Sequence, residues 1–390
     1  MRYWLYKATT RYLCPTLPMA APSLLPDSLL LNGRTFRYAD IQQYPAHSPT
    51  ELNGYEARVL DFCRQWLNGA LEFELQTSGS TGQPQPVRMT RRQLAASAAR
   101  TGDYFDLGPD TPLLACLNCE FVGGLMMLVR GFERHMPITI VEPQADPLAL
   151  LPADAPIAFA SFVPLQLRAL LEAGRAEQLN QMQVILVGGA PTDAALTRQI
   201  EQLTVPVYLT YGMTETASHI ALRRLNGPEA SPYYRVLPGI HIEQDERGCL
   251  AIGADVTNDQ LIITNDHVRL LDQHTFEWLG RADFVINSGG VKVQAEKVEL
   301  VLEVALAELE MPRRAFVAGL PDERLGELVT AVLEGAPLPP TQQEQLLHLL
   351  GERLGKYERP RRLLFVPQFQ TTASGKLDRR STLRAAPAQA

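Results

Sequence analysis

The chain has 390 residues, of which 46% are hydrophobic and 20% are charged, a balance typical of a globular protein with a sizeable core. At roughly 150 residues per domain, this length favours two or three domains. The net charge of -7 excludes the basic surface that attracts nucleic acids or anionic membranes, so we expect neither as a partner. No uncharged apolar run approaches the roughly 20 residues of a membrane span, and none is predicted.

The N-terminal segment does not have the pattern of a secretory signal, because Lys7 and Arg11 interrupt its apolar residues. We therefore expect a cytoplasmic protein. In that reducing compartment, the five cysteines are predicted to be free thiols, most of them in the core. Cys116 and Cys119 form a C-x-x-C pair, for which a metal or redox role stays open as the alternative.

The first predicted elements are a hairpin, a helix and a strand. Apolar residues at 29–31 and the Asn32-Gly33 pair indicate two short strands around a tight turn. Apolar residues spaced three or four apart predict a helix over 55–66, residues 73–76 read as a strand, and residues 91–105 predict a second helix.

The middle of the chain alternates between strands and helices. Strands are predicted at 138–141, 157–159, 184–187 and 207–209, with helices at 164–173 and from about 192 to 203. This alternation indicates an α/β fold with a parallel sheet and helical crossovers. Ligands bind such sheets at the carboxyl ends of the strands, where Gly188-Gly189-Ala190 and the segment 211–216 would lie.

After residue 235 the sequence changes to short strands, predicted at 241–243, 249–252, 260–264 and 268–271. A second unit begins near Arg281, with a helix over 298–309, strands at 315–319 and 328–333, and a helix over 341–354. We therefore predict a large N-terminal α/β domain over residues 1–280 and a small α+β C-terminal domain over residues 281–390.

Four polar segments stand out as candidates for chemistry. The first, Thr77-Ser78-Gly79-Ser80-Thr81-Gly82, offers backbone N–H groups and hydroxyls without bulk, which suits a polyphosphate. No Gly-Lys-Ser/Thr follows, so it is not a P-loop, and a flexible linker is the alternative. The second, Tyr211-Gly212-Met213-Thr214-Glu215-Thr216, places a carboxylate at a strand end, where it could hold Mg²⁺.

The other two segments lie in the predicted C-terminal domain. One is Gly280-Arg281-Ala282-Asp283, followed by Asn287-Ser288-Gly289-Gly290-Val291-Lys292. The other, Thr371-Thr372-Ala373-Ser374-Gly375-Lys376, could bring one positive charge to an oxyanion. Taken singly, each is equally consistent with a solvated basic turn.

These four segments, in this order and with Gly188-Gly189-Ala190 between them, resemble the adenylate-forming superfamily of acyl-CoA synthetases and adenylation domains. The resemblance implies activation of a carboxylic acid with ATP and Mg²⁺ to an acyl-adenylate, followed by transfer to CoA. It also implies a mobile C-terminal domain, with its hinge at Asp283, and an N-terminal domain that is shortened at its start.

The resemblance also implies roles for individual residues. The nucleotide would be bound by Thr77, Ser78, Gly79, Ser80, Thr81, Gly82, Gly188, Gly189, Ala190, Tyr211, Gly212, Met213, Asp266 and Arg281. Thr214 and Lys376 would act at the α-phosphate, Glu215 would hold Mg²⁺, and Gly289 and Gly290 would border CoA.

Two positions depart from the superfamily pattern. Gln85 stands where a lysine usually follows the phosphate loop, and Asn265 stands where glycine usually precedes the aspartate. The missing charge at Gln85 keeps a degenerate nucleotide-binding relative open as an alternative to an active enzyme.

Within the superfamily, the segments at 121–130, 214–223 and 287–294 resemble the compact o-succinylbenzoate–CoA ligases. The resemblance implies an aromatic acid with a second carboxylate, which would need a donor in an apolar pocket. We expect Ser218 and His219 there, with Gly123 and Gly124, and interpret Arg130 more readily as a helix-surface residue. Another aryl- or acyl-CoA ligase and a carrier-loading enzyme stay open, as does a homo-oligomer.

Overall fold

The structure, a computed structural model, describes residues 27–45, 51–76, 86–190, 192–371 and 377–386. Its strands are β1 (Ser28–Leu31), β2 (Arg34–Arg37), β3 (Glu72–Gln76), β4 (Pro86–Thr90), β5 (Leu113–Ala115), β6 (Ile138–Ile140), β7 (Phe159–Phe162), β8 (Val184–Val187), β9 (Val207–Met213), β10 (Ser218–Arg224), β11 (Tyr234–Val236), β12 (His241–Gln244), β13 (Cys249–Gly253), β14 (Leu261–Asp272), β15 (Thr275–Arg281), β16 (Val285–Ser288), β17 (Val291–Gln294), β18 (Ala315–Asp322), β19 (Gly326–Glu334) and β20 (Arg362–Val366).

The helices of the same described residues are α1 (Tyr38–Gln42), α2 (Gly54–Leu67), α3 (Arg91–Phe105), α4 (Val122–Glu133), α5 (Pro164–Glu172), α6 (Ala176–Asn180), α7 (Ala194–Ile200), α8 (Ala295–Glu308), α9 (Pro340–Arg353) and α10 (Arg379–Arg384). The start of α3 is fixed by a capping box, in which Thr90 and Gln93 satisfy each other's backbone N–H groups. None of the described helices is long and apolar enough to cross a bilayer.

One mixed sheet of 13 strands organises the described residues up to Arg281, apart from β3 and β4, which pair with each other separately. It is parallel through β1, β6, β5, β7, β8 and β9. From β9 it continues antiparallel through β10, β11, β15, β14, β13 and β12. The predicted α/β class is confirmed, and the short-strand region after residue 235 supplies most of the antiparallel half.

A second sheet, formed by β16 to β20, lies against α8 and α9 and has its own apolar cluster. That cluster is separate from the large one under the first sheet, which runs from Leu29 to Phe276. The change from one sheet to the other occurs across the short 3-10 turn Ala282–Phe284.

Several predicted elements have the predicted bounds, whereas others differ. The hairpin β1–β2 and helix α3 are confirmed. The strand predicted at 157–159 is present, but its bounds are wrong, because β7 spans Phe159–Phe162 and the residues before it include Pro156. The two strands predicted at 260–264 and 268–271 are one strand, β14, whose pairing shifts register between His267 and Val268.

The described cysteines, Cys63, Cys116, Cys119 and Cys249, are free and buried, as predicted for core thiols. Burial raises the pKa of Cys119 to about 11, which disfavours the reactive thiolate. The described residues contain no group of three or more acidic, histidine or cysteine side chains that could hold a metal. Cys14 lies outside the described residues.

Candidate active site

The nucleotide-binding candidates meet at the carboxyl edge of the parallel strands. Gly188, Gly189 and Ala190 follow β8 directly, and Gly189 and Ala190 are exposed. Strand β9 runs beside β8, with Val187 opposite Leu209, and then extends beyond it. Tyr211, which we expected in a loop, is therefore still within the strand, and its ring packs edge-on against Tyr234 and Phe276.

Gly212 is required by the close approach of β9 and β10. It pairs with His219, and a Cβ atom at this position would collide with the backbone of Ser218 and His219. The pairing shifts register between His219 and Ala221, which marks an irregularity in β10 at this point. The close approach of the two strands therefore explains the glycine at position 212 without any role in nucleotide binding.

Tyr211 and three charged side chains form one cluster on β9, β14, β15 and the turn that follows β15. The Tyr211 hydroxyl donates to Asp266 Oδ2 at 2.7 Å, and Arg281 Nη1 lies 3.8 Å from Asp266 Oδ1. Arg281 also donates to Asp283 Oδ2 at 2.7 Å. Burial, together with the negative charge of Asp266, raises the pKa of Tyr211. The structure therefore brings together the residues expected at the adenosine and at the hinge.

A 3-10 turn, Thr214–Thr216, joins β9 to β10 and carries Glu215. The Thr216 hydroxyl closes this turn, since it accepts from the Met213 N–H at 3.0 Å. Thr214 is buried, whereas Glu215 is partly exposed and has no hydrogen-bond or ion-pair partner among the described residues. One free carboxylate fits Mg²⁺, which usually takes one or two protein carboxylates and completes its shell with water and phosphate.

On the other side of the turn, β10 faces α4, and the structure brings all three polar acyl-pocket candidates together. Arg130 Nη2 donates to Ser218 Oγ at 3.2 Å, and Ser218 Oγ lies 3.4 Å from His219 Nδ1. The interpretation of Arg130 as a helix-surface residue is wrong, because only 2% of it is exposed. Helix α4 is apolar on nearly every face and is covered by the sheet and α3, so Arg130 in its last turn is buried as well.

The electrostatics of this cluster are those of a buried cation without a counter-ion. No described carboxylate lies within ion-pair distance of Arg130, and its Nε–H has no partner there. Burial lowers the pKa of Arg130 to about 9. Burial, and then the charge of Arg130, hold the pKa of His219 well below its usual value, so the imidazole is neutral.

The glycines predicted for this pocket lie at the start of α4. Gly124 packs against the backbone carbonyls of Leu117 and Asn118, and Gly123 lies next to the Leu117 side chain. Gly123 precedes Arg130 by two helical turns on the same face. They therefore belong to the same helix as Arg130 but not to its polar cluster.

The predicted hinge residue Asp283 lies in the turn between the two sheets, with polar contacts on both sides. Arg281 N–H donates to Glu296 of α8 at 3.0 Å, and Gln294 Nε2 lies 2.5 Å from His267 Nδ1. Glu303 of α8 accepts from the backbone N–H of Ala194. These polar contacts join the C-terminal unit to β14, β15 and α7.

Gly289 and Gly290, predicted next to CoA, form the two-residue turn between β16 and β17, with φ values of 60° and 82°. Such a turn needs positive φ at both positions, which gives this pair a structural role as well. The Tyr357 ring lies beside Gly289.

The predicted phosphate loop, Thr77 to Gly82, lies outside the described residues, as do Gln85 and Lys376. The described strands β3 and β4 flank the loop, since β3 ends at Gln76 and β4 begins at Pro86.

Sequence reasoning missed Thr101, a buried neighbour of the acyl-pocket candidates. This residue of α3 is fully buried, and its Oγ1 lies 3.1 Å from His219 Nε2. The sequence does place Thr101 on the core-facing side of α3, since it continues the positions of Leu94 and Ala98. A polar side chain buried there needs a hydrogen-bond partner.

A large α/β unit whose polar residues gather at the carboxyl edge of its parallel strands, joined to a small α+β unit, defines a two-part nucleotide-dependent enzyme. Residues 75–268 match the AMP-binding enzyme family, and residues 301–376 match the AMP-binding enzyme C-terminal domain. A 2-succinylbenzoate–CoA ligase of Bacillus cereus is 30% identical over an alignment of 339 residues, and the match covers 78% of this chain and 68% of that protein. The chain belongs to the AMP-binding enzyme family.

Solved structures agree with this assignment. A protein from Dyadobacter fermentans, described as acyl-CoA synthetase (AMP-forming)/AMP-acid ligase II-like, is 44% identical, with a TM-score of 0.59 over 88% of this chain and 97% of that chain. The o-succinylbenzoate coenzyme A synthetase of Bacillus subtilis, solved with ATP and magnesium ion, is 21% identical, with a TM-score of 0.65 over 80% of this chain and 69% of that one. At 21% identity, the similarity to this second structure shows a shared fold.

Proposed function

We propose that the chain is an AMP-forming acid–CoA ligase that converts o-succinylbenzoate, in the cytoplasm, to o-succinylbenzoyl-CoA. The relatives support this class, and the buried Arg130 supports the substrate. An uncompensated buried cation is costly, and an acid with a second carboxylate would compensate it. o-Succinylbenzoate carries one carboxylate that reacts and one on its ring.

In the first step, the reacting carboxylate attacks the α-phosphorus of ATP and pyrophosphate leaves. Tyr211, Asp266 and Arg281 hold the nucleoside, because their clustered hydroxyl, carboxylate and guanidinium groups suit ribose and phosphate. Glu215 would hold Mg²⁺, which supplies positive charge at the phosphates when it is bound. Lys376 contributes a second positive charge at the developing oxyanion.

In the second step, the CoA thiol attacks the acyl carbonyl and AMP leaves. Residues 281–390 would rotate about Asp283 between the two steps, to bring a different face to the adenylate. The polar contacts of Glu296, Gln294 and Glu303 with β15, β14 and α7 suit a contact that must form and break.

The test pairs a substrate change with a residue change. AMP formation from ATP and CoA is measured with o-succinylbenzoate and with 4-oxo-4-phenylbutanoate, which lacks the ring carboxylate. Arg130→Met should lower kcat/KM for o-succinylbenzoate by about a hundredfold, the loss expected when one partner of a buried charge pair is removed. The same variant should affect the analogue by only a few-fold.

Other outcomes point to the alternatives. Equal losses on both acids would show that Arg130 does not bind the ring carboxylate. Turnover of benzoate or octanoate in preference to o-succinylbenzoate would indicate another acyl-CoA ligase. Adenylate formation without transfer to CoA would favour a carrier protein as acceptor, and no pyrophosphate release with any acid would favour a degenerate relative.

A further inference from the structure

The polar cluster of the acyl pocket continues inwards to a residue that no part of the proposed chemistry uses. Four side chains follow one another at hydrogen-bond distance, namely Arg130, Ser218, His219 and Thr101. Thr101 is fully buried, His219 is 6% exposed and Arg130 is 2% exposed. Ser218 is partly exposed, so water has little access only to the Thr101–His219 end of this series of side chains, where hydrogen bonds must be satisfied internally.

The donor and the acceptor of each hydrogen bond follow from the two outer members of this series of side chains. At one end, Arg130 can only donate, so Ser218 Oγ accepts from it and has its own proton to place. At the other end, the Thr101 hydroxyl donates to the Ser97 carbonyl at 3.0 Å, which leaves Thr101 Oγ1 as an acceptor. His219 between them is neutral and carries one N–H.

Both constraints favour the same tautomer of His219. A proton on Nε2 is donated to Thr101 Oγ1 at 3.1 Å, and the lone pair of Nδ1 accepts the proton of Ser218. The opposite tautomer would point an N–H at the oxygen that already receives the guanidinium. It would also turn the positive end of the imidazole dipole towards Arg130.

We propose that Thr101 is a positioning residue for acid specificity, which holds His219 in the Nε2–H tautomer and thereby commits the Ser218 proton to His219. Ser218 then donates nothing to the substrate, and Arg130 provides the N–H groups for the second carboxylate of the acid. This inference rests on the proposed function for its substrate but not for its hydrogen-bond pattern.

The first test needs no substrate. Long-range ¹H–¹⁵N correlation spectra of the full chain, with His219 assigned by comparison with His219→Gln, report which ring nitrogen carries the proton. The wild-type protein should show Nε2 protonated and Nδ1 unprotonated. A protonated Nδ1, or a doubly protonated ring at neutral pH, would overturn the proposal whatever the enzyme's substrate is.

The second test is kinetic and uses a matched pair of variants. Thr101→Val keeps the side-chain shape but removes the acceptor, so the His219 proton should move to Nδ1 and point at Ser218 Oγ. This change disturbs the Arg130–Ser218 contact, and KM for o-succinylbenzoate should rise by about tenfold, the effect of one disturbed buried hydrogen bond. KM for ATP and kcat with 4-oxo-4-phenylbutanoate should stay within about twofold. Thr101→Ser keeps the hydroxyl and should restore both the tautomer and KM.

Three results contradict the proposal. Equal changes in the KM values for acid and ATP would show a merely structural role. A Thr101→Val variant with an unchanged His219 tautomer would show that Thr101 does not set it, and a Thr101→Ser variant that fails to restore KM would exclude the hydroxyl. If the wild type does not use o-succinylbenzoate, the proposed substrate fails, while the spectra still decide the tautomer.

Discussion

Replacement of Arg130 by methionine should make the protein more stable while it impairs the acid site. Burial lowers the pKa of Arg130 to about 9, and at about 1.4 kcal/mol per pKa unit this fall corresponds to roughly 5 kcal/mol of unfavourable burial of the charge. The bond to Ser218 returns only about 1.5–3 kcal/mol. Methionine fills similar space without a charge, so the free energy of unfolding should rise by roughly 1–4 kcal/mol.

Urea unfolding of the substrate-free protein, followed by circular dichroism, measures this change. Arg92→Met is the matched control, because Arg92 forms an exposed ion pair with Asp259, and such pairs contribute about 0–1 kcal/mol. A loss of stability in Arg130→Met larger than that in Arg92→Met would refute the reasoning. It would mean that the guanidinium is compensated in the folded protein and is not held ready for an anion.

Three further changes test the remaining parts of the site. Lys376→Ala should slow acyl-adenylate formation by about 10²–10³ but leave thioester formation from supplied adenylate nearly intact, and equal loss of both half-reactions would make Lys376 structural. Asp283→Pro should show the reverse pattern, because proline fixes φ and restricts the turn between the sheets; full turnover with CoA would place the hinge elsewhere. Gly212→Ala should lower the free energy of unfolding by roughly 1–3 kcal/mol, since its Cβ would meet the Ser218 backbone, and unchanged urea unfolding would contradict the close approach.

The sequence predicted the elements whose patterns are local. Helix α3 begins and ends where predicted, because its apolar period and the Thr90–Gln93 capping box agree. The buried strand β8 is a run of apolar residues with glycines after it, and its bounds were also correct. The bounds of β7 were wrong because Ile157 is as apolar as the residues of β7 itself, so apolarity alone does not mark where pairing begins.

The candidate site was predictable only where it follows from motifs. The motif resemblance placed Tyr211, Asp266 and Arg281 in one site, and the structure brings them together. Arg130 was misjudged because a charged residue at the end of an apolar helix usually reaches solvent, and its burial depends on packing against β10 and α3. Thr101 was missed for the same reason, since its partner lies 118 positions away in the chain.

The turn Thr214–Thr216 separates two tasks along one antiparallel pair of strands. Tyr211, on the strand before it, belongs with Asp266 and Arg281 to the cluster that we propose for the nucleoside. Ser218 and His219, on the strand after it, belong with Arg130 to the cluster that we propose for the acid. Insertions or deletions in this turn would change the spacing between the two substrates, so natural and engineered variation should avoid it. Changes of acid preference can instead arise on β10, α3 and α4, without any change in the residues that we propose to bind ATP.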